Sequence, residues 1–155
     1  MSLVLLSKSV EDYEMEEILN AIPHRPPFLF VDRIVELGAT KIRTSKEIKP
    51  DEPVFAGHYP GQPIMPGALI CESIFQTGAI LLSKMMGGIG GGVPVLTRIN
   101  NAKFKSIVRP GSTLDIEAEL VEKVSNAYFM KGRASVGGKI SVTVEFTVTL
   151  AKEAV

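Results

Sequence analysis

The sequence predicts an α+β domain, with strands packed around one buried helix, and three observations carry that reading. The first is the run from Pro66 to Met86, where Ala68, Leu69, Ile70, Ile74, Phe75, Ala79, Ile80, Leu81 and Leu82 cover most of a helix circumference. A helix that is apolar nearly all round is a buried one. The second is the C-terminal run, where Ile140, Val142, Val144, Phe146, Val148 and Leu150 alternate with Ser141, Thr143, Glu145, Thr147 and Thr149. That is the period of a half-buried strand. The third is a length of 155 residues, enough for one domain with a substantial core.

The elements follow in chain order. Residues 1–10 are read as a flexible N-terminus. Ser9 can cap a short helix whose first turn holds Glu11 and Asp12 and whose apolar face is Met15, Ile18, Leu19 and Ile22. The prolines of "PHRPP" stop it, because proline cannot continue the hydrogen-bond ladder. Residues 28–35 ("FLFVDRIV") and 40–48 ("TKIRTSKEI") are predicted strands around a turn at Gly38. Pro66 suits the first position of the long helix, where no amide hydrogen is needed. Glu72, Gln76 and Ser83 form one narrow polar stripe along that helix. The glycine run at 87–92 follows a helix rather than a strand, the wrong order for a phosphate loop, and is read as a connection. Strands are predicted at 93–99, 102–108 and 113–124, and Gly137–Gly138 makes the last hairpin.

Composition excludes several functional classes. Apolar residues make up 45% of the chain and charged ones 22%, with seventeen basic residues against seventeen acidic. That balance argues against general nucleic-acid binding. A single cysteine, Cys71, allows no internal disulfide, and with two histidines it gives no zinc spacing, so no metal is expected. A reducing cytoplasm is the expected setting. The segment "MSLVLLSKSV" is too short for a secretion signal, and no run of eighteen uninterrupted apolar residues predicts a membrane span.

The stretch "FAGHYPGQPIMPGALICE", residues 55–72, concentrates the chemistry. Pro60, Pro63 and Pro66 restrict the loop around His58, and Glu72 is the single acid in the apolar helix that follows. Taken alone, His58 reads as a turn residue as readily as a functional one. Glu72 can equally end in a buried ion pair with Arg25 or Arg33. His24, within the helix-stop sequence, reads as structural, and Cys71 as core. Met85 and Met86 fit the lining of a binding tunnel or a core gap equally well. From Glu72 to Asp115 there is no acid, yet Lys84, Arg98, Lys103, Lys105 and Arg109 fall in that interval. Strand alternation puts Lys103 and Lys105 on one side, either as a docking patch or as a solvated face.

Three segments in this order and spacing, "PHRPPFLFVDRIVE", "FAGHYPGQPIMPGALICESIFQ" and "INNAKFKSIVRPG", resemble the β-hydroxyacyl-acyl-carrier-protein dehydratases of bacterial type II fatty-acid synthesis. The resemblance spans roughly residues 15 to 150. It implies the hot-dog fold, a long curved antiparallel sheet around a central helix. It also implies a homodimer or trimer of dimers, with each site at the dimer interface. The implied reaction converts a (3R)-3-hydroxyacyl thioester to the trans-2-enoyl thioester, without a redox cofactor, on a substrate carried by the phosphopantetheine of an acyl carrier protein.

In that reaction His58 would be the base for the C2 proton, and Glu72 would protonate the departing hydroxyl. The Gly67 amide would polarise the thioester oxygen, and Gln76 would hold Glu72. The basic residues Arg98, Lys103, Lys105 and Arg109 would dock the acidic carrier. Glu72 stands where the bifunctional dehydratase–isomerases carry Asp, so no isomerase activity is expected. Tyr59 replaces the commoner Phe, Ala68 the commoner Val, and Asn100-Asn101 the usual Asp-Asn pair. A coenzyme A carrier, or a non-catalytic acyl-binding module, remain the alternatives.

Overall fold

A computed structural model describes residues 10–87 and 92–151; Ser9 and most of the expected glycine connection lie outside them. Two helices, α1 (Val10–Ala21) and α2 (Gly67–Met85), accompany six strands: β1 (Arg33–Leu37), β2 (Lys41–Glu47), β3 (Val93–Phe104), β4 (Thr113–Val124), β5 (Ala127–Val136) and β6 (Lys139–Ala151). All neighbouring strands are antiparallel, in the order β1-β2-β4-β5-β6-β3. One sheet thus curves around α2, and β1 and β3 are its edges.

The alternation in the sequence sets the face of each strand. Ile42 and Thr44 of β2, Leu114, Ile116 and Ala118 of β4, Met130 and Ala134 of β5, and Val142, Val144 and Phe146 of β6 are all buried. Against them α2 lays Ile70, Ile74, Ile80, Leu81 and Leu82, also buried. Two glycines set how closely the layers approach. A Cβ on Gly78 would come within 2.9 Å of the Phe146 ring, and one on Gly132 would collide with Ile74 and lie 2.7 Å from the Glu117 carbonyl oxygen. The seam also carries a buried hydrogen bond between Thr44 and Thr77 hydroxyls at 2.7 Å, with Thr77 donating back to the Ser73 carbonyl at 2.8 Å. Both hydroxyls are thereby satisfied without water.

Three expectations are corrected. The first strand begins at Arg33 rather than Phe28, because the backbone of 28–30 is bonded to a side chain of α2 and not to a neighbouring strand. The strands expected at 93–99 and 102–108 are one strand, β3, which runs through register irregularities at Leu96–Arg98 and Asn100–Lys103, where Asn101 takes φ 50°, and ends at Phe104. Pro66 is the residue before α2 and not its first turn. The hairpin at Gly137–Gly138 forms as expected, both glycines having positive φ, 56° and 83°. By length and composition α2 qualifies as a membrane span, but 72% of its apolar window is buried inside the molecule.

Gly132→Ala is expected to destabilise the fold by about 1–3 kcal/mol, the usual cost of overpacking against backbone. Urea unfolding measures this as a lower midpoint with an unchanged slope.

Candidate active site

The loop before α2 is built to fix one ring. A 3₁₀ turn at Pro53–Ala56 leads into it, and the His58 amide donates to the Val54 carbonyl at 3.0 Å. A tight turn follows, with Gln62 N–H donating to the Tyr59 carbonyl at 3.0 Å, Tyr59 at φ 52° and Gly61 at φ 90°. The Met65 amide then pins the loop to the Val108 carbonyl at 2.8 Å. His58 Nδ1 lies 2.8 Å from the Ile64 carbonyl oxygen. A carbonyl only accepts, so Nδ1 carries the hydrogen and Nε2 keeps its lone pair.

His58 opens onto a cleft of about 400 Å³ lined by Tyr59, Ile64, Gly67, Ile70, Phe104 and Lys105, among others. Its rim is unusually apolar for an exposed surface, with Tyr59, Phe104 and Ile107 respectively 63%, 60% and 64% exposed. Gly67 starts α2 at the cleft, and no side chain caps the helix there. Its missing Cβ makes room for an aromatic ring. A Cβ would lie 2.7 Å from the Phe104 ring, so the space belongs to Phe104.

Glu72 stands elsewhere. Its Oε1 accepts from Gln76 Nε2 at 3.1 Å and faces His24 Nε2 at 3.7 Å. The buried Gln76 also donates to the Phe28 carbonyl at 2.9 Å and accepts from the Phe30 amide at 2.8 Å, so it joins the 28–30 segment to the carboxylate. Neither arginine considered as a partner takes that place among the described contacts. Arg25 spends its guanidinium on the carbonyls of Leu19, Ile22 and His24, closing the end of α1, and the partner is His24. Periodicity carries no signal for that contact, which depends on how the proline segment folds back onto α2.

His58 and Glu72 share no hydrogen bond or ion pair among the described residues, and Glu72 is not in the His58 cleft. Helix geometry explains the separation. At about 100° per residue, Gly67 and Ile70 point one way and Glu72 and Gln76 roughly the opposite way. One α2 therefore carries Gly67 and Glu72 on opposite faces.

The basic residues are also divided. Lys105 lies past the end of β3 on the His58 cleft, while Lys103 lines a separate groove of about 590 Å³ on the outer sheet face with Glu117, Glu119 and Glu145. The strand ends at Phe104, between the two lysines, and with it the alternation that would have aligned them. Arg98 is exposed on β3, and Arg109 is exposed in the connection after it. Lys84 is paired with Glu17 at 2.6 Å. Met85 and Met86 are exposed at the far end of α2, away from the His58 cleft. Among the described residues no cluster of three or more His, Cys, Asp or Glu is placed to hold a metal ion.

Burial holds the His24 imidazole below the ordinary histidine range, with Glu72 opposing the shift and Arg25 adding to it. Burial, then Glu72, raises the Cys71 thiol, which disfavours its reactive thiolate.

Comparisons with known proteins bear on this arrangement. Residues 22–145 match the model of the FabA-like domain. A 3-hydroxyacyl-[acyl-carrier-protein] dehydratase FabZ of Petrotoga mobilis is 40% identical over 138 residues, covering 89% of this chain and 98% of the relative. The FabZ of Rickettsia felis is 38% identical, covering 88% and 95%. Among solved structures, the dehydratase heterocomplex ApeI:P from Xenorhabdus doucetiae superposes with a TM-score of 0.75 at 16% identity, over 88% of this chain and 91% of that one. A hypothetical thioesterase with coenzyme A from Streptococcus pneumoniae gives 0.63 at 11%, over 92% and 98%. At such identities these last two likenesses concern the fold, which is the hot-dog fold.

His24 generates a pH prediction. Its pKa is lowered in the folded state, so between the unfolded value near 6.5 and the folded value the unfolded chain binds more protons. The contribution is fully present above about pH 6.5 and is lost as pH falls through that window. Urea midpoints between pH 7.5 and 5.5 should therefore decline less steeply in His24→Phe than in wild type.

Proposed function

The chain belongs to the FabA-like domain family, and on that footing we propose that it is a 3-hydroxyacyl-[acyl-carrier-protein] dehydratase of fatty-acid elongation. It removes water from a (3R)-3-hydroxyacyl thioester to give the trans-2-enoyl thioester. The observation that carries the residue roles is the fixed His58 ring, with Nδ1–H spent on the Ile64 carbonyl and Nε2 left basic toward an apolar-rimmed cleft. His58 Nε2 takes the C2 proton, and the electron pair forms the C2–C3 double bond. The C3–O bond breaks, and the hydroxyl leaves as water with a proton from Glu72. The Gly67 amide, at the positive end of α2, meets the charge that develops on the thioester oxygen. Side chains supply both the base and the acid, and loss of water involves no net oxidation or reduction, so the reading calls on no metal or redox cofactor. Glu at position 72 favours dehydration without isomerisation.

The opposite placement of the two groups on α2 supports a site shared between two copies. The edge strand β3 offers the surface: twelve residues long, it leaves Val95, Leu96, Ile99 and Phe104 exposed. A long apolar edge is a template for pairing with another chain. A homodimer joined along β3, alone or as a trimer of dimers, would bring His58 of one copy toward Glu72 of the other. The single free, buried Cys71 is in keeping with a cytoplasmic setting. Lys105 lies on the cleft that would receive the acyl-phosphopantetheine arm and, with Arg109 and Arg98, is the nearer candidate for docking an acidic carrier. Lys103 lines a groove of mixed charge, where Glu117, Glu119 and Glu145 stand beside Lys41, Lys131 and Arg133, and is the weaker one.

His58→Ala is expected to lower turnover by about 10²-fold or more, the scale of a lost general base, and Glu72→Ala to be similarly impaired. Co-refolding the two variants should restore activity, up to about half the wild-type rate per mixed dimer, since one of its two sites is intact. Absence of recovery, with mixed dimers detected by mass spectrometry, would mean that each site lies within one chain.

Lys105→Glu should slow turnover of carrier-bound substrate far more than that of a short synthetic thioester, with a weaker effect for Lys103→Glu. Equal losses on both substrates would count against docking at Lys105, and parallel assays with coenzyme A thioesters fix the carrier.

A further inference from the structure

We propose that His24 is a positioning residue for Glu72, a neutral imidazole whose Nε2–H steadies the carboxylate that forms when Glu72 gives up its proton. The inference rests on the reading of Glu72 as the acid and goes beyond it by adding a group the reaction scheme does not otherwise use.

Three observations carry it. His24 Nε2 faces Glu72 Oε1, the same oxygen that accepts from Gln76 Nε2. Both groups therefore converge on Oε1 and leave Oε2 for the departing hydroxyl. The ring is held by its surroundings, being stacked on Phe28 at 6.4 Å with 22° between planes, while Phe28 is itself tied to Gln76 through its carbonyl. Finally, His24 Nδ1 is the one buried side-chain nitrogen or oxygen without a hydrogen-bond partner among the described residues.

That orphaned nitrogen decides the protonation state. An imidazolium needs an acceptor at both nitrogens, and burying an unpaired N–H beside a positive charge is costly. Of the two nitrogens only Nε2 faces an acceptor, the Oε1 of Glu72, so the neutral ring places its hydrogen there and leaves Nδ1 as the bare lone pair. The charged groups that bear on the ring are Glu72, from α2, and Arg25, on its own segment. Burial and Arg25 both act against a second proton, in agreement with the geometry.

The separation of 3.7 Å is longer than a hydrogen bond. In an empty site such contacts are commonly long and tighten as the reacting complex forms. As Glu72 passes its proton from Oε2 to the leaving hydroxyl, negative charge spreads to Oε1. Donors already aimed at that oxygen stabilise the transition state more than the ground state.

The test uses the full chain and two independent readouts. His24→Phe, which keeps a ring against Phe28, should lower kcat about tenfold or more while KM changes by less than about twofold. His24→Gln, which can return an N–H toward Oε1, should recover most of the loss. In ¹⁵N NMR, wild-type His24 should show the Nε2–H tautomer, and Glu72→Gln should lower its titration midpoint by removing the carboxylate that favours protonation.

Wild-type kcat in His24→Phe, an Nδ1–H tautomer, or a His24 titration unmoved by Glu72→Gln would each overturn the proposal while leaving the dehydratase reading intact. A wild-type protein inactive on hydroxyacyl thioesters would overturn the dehydratase reading itself, whatever the NMR shows.

Discussion

The structure depends on how closely α2 can sit in the curve of the sheet. Gly78 beneath Phe146 and Gly132 beneath Ile74 remove the side chains that would hold the layers apart. The Thr44–Thr77 hydrogen bond adds a fixed point inside the same seam. Because interiors are close-packed, such contacts fix rotation as well as distance. Rotation is what matters for chemistry here, since it aims Gly67 and Ile70 at the His58 cleft and Glu72 and Gln76 at the proline segment on the other side.

Gln76 converts that rotation into a site. Its amide makes all three of its described hydrogen bonds away from the sheet, two to the backbone of 28–30 and one to Glu72. The backbone bonds do the work a neighbouring strand would do, which is why the segment before β1 stays irregular yet ordered. They also bring His24 within reach of the carboxylate. A strand at 28–32 would have paired outward and left Glu72 without that neighbour.

The sequence made much of this legible. The all-round apolar helix and the alternating strands announced the layers, and the hairpin at Gly137–Gly138 required positive φ that glycine supplies freely. His58 and Glu72 stood out as an imidazole in a proline-rich loop and a lone acid on an apolar helix. The one-sided placement of Lys103 and Lys105 assumes unbroken alternation, and β3 ends at Phe104, between them. Gln76 holds Glu72 as its place one turn along the helix suggests, while Arg25, an alternative partner, is taken by the carbonyls at the end of α1.

By itself, then, the sequence determined most of the elements, the buried faces and the candidate reactive groups, because these follow from periods of two and 3.6 residues and from the chemistry of side chains read one at a time. Only the tertiary structure decided which groups meet. Phe104 occupying the space above Gly67, His24 facing Glu72, and the separation of His58 from Glu72 across one helix are contacts between segments far apart in the chain or joined by irregular backbone. No local period records such contacts, since their geometry is set by how closely two packed layers approach and by the angle at which they lock.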